Sequence, residues 1–142
     1  MTNNPGARLA LTGAANGGIT NAGLIDVGGN LSGNAAFENS IAGAVLNVNA
    51  GTFTVGGVVT NRGTVTVANG ATLDATPGVV NSATGVIVNN GRIVDALANS
   101  GFVDNTGVYV ADVANSGAAA LIFNRAGGPG PAPSPTPPAR GS

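Results

Sequence analysis

The stretch Thr60-Asn61-Arg62-Gly63-Thr64-Val65-Thr66-Val67 contains the pattern that decides the fold of this chain. An asparagine and a glycine come first, and a segment that alternates between threonine and valine follows. The same order recurs along the chain, with an asparagine ahead of a short apolar-x-apolar segment. The asparagines are Asn21, Asn39, Asn61, Asn81 and Asn105, and the apolar segments begin at Ile25, Leu46, Val65, Val86 and Val108.

The spacing of this pattern indicates a stacked repeat. Successive apolar segments begin 21, 19, 21 and 22 residues apart, and a fixed period in this range is typical of a solenoid. Alternation with period two predicts strands, and three strand-like segments fit one period, at residues 65–67, 70–75 and 78–81. We therefore predict an all-β, single-stranded parallel β-helix (β-solenoid) with about 21 residues per three-strand coil and roughly five coils.

Two columns of residues should run along such a stack. The apolar column Ile25, Leu46, Val65, Val86 and Val108 is expected to face the core, because neighbouring coils must present side chains of similar volume. The asparagine column Asn21, Asn39, Asn61, Asn81 and Asn105 is expected at a corner. Asparagine tolerates the left-handed backbone region, and stacked amides can hydrogen-bond along the axis.

An antiparallel sandwich is the alternative fold. Asn69-Gly70 and Asn90-Gly91 would suit its hairpin turns. That fold does not explain why Val94-Asp95-Ala96 follows Leu73-Asp74-Ala75 at an offset of 21 residues.

Changes in composition divide the chain into four segments. Residues 1–18 form an N-terminal cap segment with Leu9-x-Leu11 as a degenerate first strand, and residues 19–117 hold the repeats. Residues 118–126 are a closing segment, and residues 127–142 are a proline-rich tail or linker, since proline at this density favours extended polyproline II. The first residues lack the features of a secretory signal, so we expect a mature fragment of an exported protein.

Composition excludes several classes of function. The chain has 142 residues, a net charge of −1 and no Cys or His, so the usual nucleophile–base pairs and zinc sites are absent. The five positive charges are dispersed arginines, which argues against nucleic acid as a partner. No apolar run is long enough for a transmembrane segment. We therefore expect no catalytic residues, cofactor or metal.

The repeats resemble a known group of bacterial surface proteins. Residues 60–67 and Asn69-Gly70-Ala71-Thr72-Leu73 are similar to the passenger repeats of bacterial autotransporters and filamentous-haemagglutinin-like adhesins. The resemblance covers roughly residues 19–117. It implies a parallel β-helix that a Gram-negative bacterium exports to its surface, and it transfers no catalytic residue.

Two functions follow as expectations. The first is a non-enzymatic extracellular structural protein, a subunit of a surface fibre, stalk or adhesin that associates head to tail into filaments, because its ends carry little protection against pairing. The second is a glycan-binding or glycan-cleaving β-helix that meets a host or cell-surface glycan. In that case Asp74 and Asp95 would form the outer acid pair, and Tyr109 would face outward as an aromatic platform.

Overall fold

The fold is a parallel β-solenoid. The computed structural model describes residues 1–110 and 112–125, and every regular element within these ranges is a strand. The strands stack in about 6 turns of about 19 residues, which confirms the predicted fold class. The period is less regular than the sequence suggested, since equivalent asparagines lie 16 to 22 residues apart.

Each coil contributes strands to three faces. The first, here called the asparagine face, has seven parallel strands, each ending in asparagine: β1 Thr2–Asn3, β3 Ile19–Asn21, β5 Phe37–Asn39, β8 Val59–Asn61, β11 Val79–Asn81, β14 Leu97–Asn99 and β17 Val113–Asn115. Two long strands, β2 Arg8–Ala15 and β4 Leu24–Gly33, run across both other faces.

Beyond those two strands the other faces separate. The second face continues with β6 Val45–Val48, β9 Thr64–Val67, β12 Val86–Asn89, β15 Phe102–Asn105 and β18 Leu121–Asn124. The third face continues with β7 Thr52–Val55, β10 Thr72–Ala75, β13 Arg92–Val94 and β16 Val108–Val110.

The solenoid extends over both segments that the sequence set apart as ends. Within residues 1–18, β1 and β2 pair in parallel with β3 and β4, so this segment is a complete first coil, and Leu9-x-Leu11 is its strand as predicted. Within residues 118–125, β18 adds a strand to the second face. Ala126 and the predicted tail at 127–142 lie outside the described residues.

The inward column of the second face corrects the predicted core. Ile25, Leu46 and Val65 are at most 1% exposed, as expected. The next coil, however, places Ile87 opposite Val65, while Val86 pairs with Thr64 on the outside. The full column is Leu9, Ile25, Leu46, Val65, Ile87, Val103 and Ile122.

Val108 was also placed in the wrong column. It lies on the third face, where it pairs with Arg92 and is only partly buried. The coils before it are shorter than 21 residues, so counting along the sequence overshoots the second face and reaches the third. The apolar part of the interior includes Phe37 and Phe53, whose rings lie edge to face at 5.7 Å.

Candidate functional site

The most ordered polar feature of the molecule is a ladder of asparagine side chains inside the asparagine face. Each side-chain amide Nδ2 donates a hydrogen bond to the Oδ1 of the asparagine in the next coil, at 2.7 to 3.0 Å. The ladder comprises Asn3, Asn21, Asn39, Asn61, Asn81, Asn99 and Asn115. All members except the last are at most 2% exposed.

Backbone groups complete the hydrogen bonding of the ladder. The Asn61 Nδ2 also donates to the Val86 carbonyl oxygen at 3.0 Å, and the Gly63 N–H donates to the Asn61 Oδ1 at 3.2 Å. Glycine is required at position 63 because a Cβ there would overlap the Ala44 carbonyl oxygen of the preceding coil. The buried amides are therefore paired, as buried polar groups must be to avoid a large desolvation cost.

The physical role predicted for the asparagines is half correct. The predicted hydrogen bonds between stacked asparagine side chains are present, but none of the ladder asparagines has a positive φ. Among the described residues, Asp95 is the one non-glycine residue with a positive φ. The asparagines end strands and point inward. Their role in the fold is to form the hydrogen-bonded ladder, and they do not form left-handed corners.

The membership of the column also differs at its end. Asn99 follows Asn81 in the ladder, whereas Asn105 lies on the second face. Asn99 was missed although Leu97-Ala98-Asn99-Ser100-Gly101 fits the same phrase as Val103-Asp104-Asn105-Thr106-Gly107. The two segments fit the repeated sequence pattern equally well, and only the pairing of strands between coils shows that Asn99 belongs to the ladder and Asn105 does not.

Asn105 belongs to a second, shorter ladder. The Asn89 Nδ2 donates to the Asn105 Oδ1 at 2.7 Å, and the Asn105 Nδ2 donates to the Asn124 Oδ1 at 2.9 Å. The same column holds valine in the preceding coils, at Val27, Val48 and Val67. Because valine cannot donate, the buried Asn89 Oδ1 has no hydrogen-bond partner.

The acid pair of the glycan hypothesis does come together, but not in the expected register. Asp74 pairs with Val94, and Asp95 follows one residue later at φ 92°. Burial, and then the hydrogen bond and charge of Asp95, raise the pKa of Asp74. The two acids therefore do not occupy equivalent positions in adjacent coils, as the glycan hypothesis assumed.

Tyr109 faces the core, contrary to the prediction. It pairs with the fully buried Ile93, continues its inward column and packs against the core, whereas Val110 is 44% exposed. Burial and the nearby charge of Asp95 raise the pKa of Tyr109, and no described residue forms a hydrogen bond with its hydroxyl. The aromatic platform required by the glycan hypothesis is therefore missing at this position.

Among the described residues, the C-terminal end of the solenoid is open and apolar. A hollow of about 230 Å³ opens into the core between Leu97, Val103, Tyr109 and Ile122. The final strands also expose large apolar side chains to between 44% and 48%: Val110, Val113, Leu121 and Phe123. Each final strand has a strand neighbour on one side only among the described residues, so this end combines free backbone edges with uncovered core.

Charged groups of the described residues pair across neighbouring coils. Arg8 contacts Asp26 at 2.7 Å, Arg125 contacts Asp104 at 2.8 Å, and Arg62 contacts Glu38. A hydrogen bond from Asn47, with help from Arg8, lowers the pKa of Asp26 against the effect of burial. Such exposed pairs each contribute at most about 1 kcal/mol to stability.

Other kinds of site find little support in the described part of the chain. Residues 1–110 and 112–125 contain no group of three or more His, Cys, Asp or Glu side chains arranged to hold a metal ion. Nor do they contain a helix of the length and apolarity needed to cross a membrane.

Comparisons with known proteins give no match. No family model, characterised protein or solved structure gives a significant match to the chain. The parallel β-solenoid agrees with the predicted repeat architecture. The similarity to autotransporter or haemagglutinin-like passengers is a similarity of the repeat sequences, which no family match accompanies.

Proposed function

We propose that the chain is a non-enzymatic structural protein that acts outside the cell, as a β-solenoid subunit of a bacterial surface fibre, stalk or adhesin. The observation that carries this proposal is the continuous ladder from Asn3 to Asn115. It connects every coil to the next through buried side-chain hydrogen bonds, in addition to the backbone ladders of three faces.

This construction suits a mechanical role. At about 4.8 Å per coil, about six turns make a rod roughly 30 Å long. In a stack of this kind each coil is stabilised only by its neighbours. A hydrogen bond between asparagine side chains at every junction therefore distributes resistance to bending and separation along the whole rod, which a stalk or fibre requires.

Self-association is part of the proposal. The open end exposes Val113, Leu121 and Phe123 together with strand edges that no other described strand pairs with. Exposed edges of this kind are templates for pairing with another chain. Contacts between unlike ends generate open filaments when the geometry does not close into a ring.

Localisation gives a direct test. Antibodies against the purified chain should label intact cells of the bacterium that carries the gene, and mild protease treatment of those cells should remove the label. An antibody against a cytoplasmic protein of the same cells serves as the control and should label only after permeabilisation. Labelling by the solenoid antibody that also requires permeabilisation would contradict the proposal.

A further inference from the structure

We propose that the direction of the asparagine ladder makes the molecule a polar building block, whose C-terminal end binds the N-terminal end of a second copy. This inference rests on the proposed function for one premise, that copies associate through their ends. What it adds is the orientation, the register and the residues of the joint.

The ladder has a defined direction. From Asn3 to Asn99, every Nδ2 donates toward the C-terminal end, and from Asn21 to Asn115, every Oδ1 accepts from the preceding coil. The direction is fixed by the backbone, because the same Nδ2 atoms also donate to carbonyl oxygens, as Asn21 does to Val45 at 2.9 Å. A flipped amide would place its oxygen against those carbonyl oxygens.

The two ends of the ladder are complementary. At the N-terminal end, none of the described residues donates to the Asn3 Oδ1, whereas the Asn21 Oδ1 accepts from both the Asn3 Nδ2 and the Gly23 N–H. At the C-terminal end, Asn115 is exposed, and its Nδ2 makes one long bond of 3.4 Å to the Ala120 carbonyl oxygen. One end thus offers an acceptor and the other a donor.

This polarity selects one kind of contact. A head-to-tail joint places the Asn115 Nδ2 of one copy opposite the Asn3 Oδ1 of the next copy. Joining two C-terminal ends would oppose donor to donor, and joining two N-terminal ends would oppose acceptor to acceptor. Only the head-to-tail contact satisfies both groups, and such a heterologous contact produces an open filament.

The apolar column of the second face continues across the same joint. Ile122 ends this column and Leu9 begins it, and both are partly buried against the core. Stacking β1 of the second copy on β17 therefore also stacks its β2 on β18, in parallel, with Leu9 over Ile122. The coil added in this way would cover the hollow beside Tyr109.

The joint involves two faces. Among the described residues, the third face ends at Val108–Val110, one strand earlier than the asparagine face and the second face, which end at β17 and β18. Residues 13–15 of the second copy would therefore lie two strand positions from Val108–Val110. In the described part of the chain, the contacts that form the joint are therefore those of the asparagine ladder and of the Leu9–Ile122 column.

Two variants, each blocked at one end, test the joint. Leu9→Arg places a charge at the N-terminal end, and Ile122→Arg places one at the C-terminal end. Both positions are partly exposed at the ends of the rod, so the solenoid should still fold, which far-UV circular dichroism and thermal melts would verify. If Ile122→Arg or Leu9→Arg fails to fold, Val113→Arg or Leu11→Arg takes its place.

The expected result by analytical ultracentrifugation is complementation. The wild-type chain should form species that lengthen with concentration, each blocked variant alone should remain monomeric, and an equimolar mixture should form a one-to-one dimer and nothing larger. Asn115→Leu should weaken the wild-type association about tenfold while leaving the apolar column intact.

Other outcomes overturn the inference. Dimerisation of either blocked variant by itself would show a contact between like ends or a lateral contact, and a monomeric mixture would show that these ends do not bind each other. Surface labelling of intact cells is an independent result, so the structural role outside the cell would survive either outcome.

Discussion

On the second face, strand β9 and strand β12 of the next coil place opposite kinds of residue inside and outside. In β9 the outward residues are Thr64 and Thr66, and the inward residues are Val65 and Val67. In β12 the outward residues are valines, whereas the inward residues are Ile87 and Asn89. On the second face, β9 is therefore apolar inside and polar outside, whereas β12 carries asparagine inside and valine outside.

The asparagine face shows the same change on its outer surface. Its outward positions are Thr20, Glu38 and Thr60 in the earlier coils, and Val80, Ala98 and Ala114 in the later ones. Alternation identifies a strand but does not determine which set of residues faces inward. That choice depends on what the neighbouring coils place in the same column, and the later coils accept asparagine there because the next coil also supplies one.

The largest expected effect tests which valine lies inside. Val65→Asp should destabilise the protein by about 3–5 kcal/mol, because it buries an unpaired carboxylate. Val86→Asp should cost less than about 1 kcal/mol, because the side chain lies on the outer surface. Thermal and urea melts measure both, with Thr64→Asp as an outward control. Equal destabilisation by Val65→Asp and Val86→Asp would contradict the observed register.

The next effect compares a buried asparagine of the ladder with an exposed one. Asn61→Ala should destabilise the protein by about 2–4 kcal/mol, because it leaves the Asn81 Oδ1 and the Val86 carbonyl oxygen without their donor. A single corner hydrogen bond would be worth only about 1 kcal/mol. Asn69→Ala, at an exposed turn, is the matched control and should change the free energy of unfolding by less than about 0.5 kcal/mol.

A smaller difference should appear where the valine column meets the second ladder. Val67→Asn should be less destabilising than Val48→Asn by about 1–2 kcal/mol, because only the new amide at position 67 can donate to the unpartnered Asn89 Oδ1. Both valines are fully buried, so the loss of apolar packing is matched. Equal unfolding free energies for the two variants would mean that the Asn89 Oδ1 does not need a donor.

The smallest expected effects are those of pH on two acids. The pKa of Asp26 is lowered in the folded state, so it stabilises the protein above its unfolded pKa, and this contribution is lost as the pH falls through the folded value. The pKa of Asp74 is raised, so stability falls as the pH rises from its ordinary value of 3.8 through the folded value.

Amide variants separate these two acids. At pH 7, Asp26→Asn should lower the melting temperature and Asp74→Asn should raise it. Each variant should change the free energy of unfolding by less than about 1 kcal/mol, because both groups lie near solvent. Melts from pH 3 to pH 7 should show the difference shrinking for both variants at the acid end. Shifts of the same sign at pH 7 would contradict the two pKa directions.

The amino-acid sequence by itself determined the architecture of this protein. A repeated asparagine followed by alternating apolar residues specifies short strands at a regular spacing, and stacking them in successive coils buries their apolar sides. The resulting predictions of a parallel solenoid, three strands per coil and inward Ile25, Leu46 and Val65 are confirmed.

Only the tertiary structure decided which residues of the later coils face inward. Val86, Val108, Tyr109 and Asn105 were assigned from a constant period, but coils of 16 to 22 residues shift each column by several positions. A strand's inward side is fixed by its hydrogen-bonded register with the coils on either side, which is a property of neighbours in space. For the same reason the direction of the asparagine ladder, and the unlike ends that it creates, became visible only when the coils were stacked.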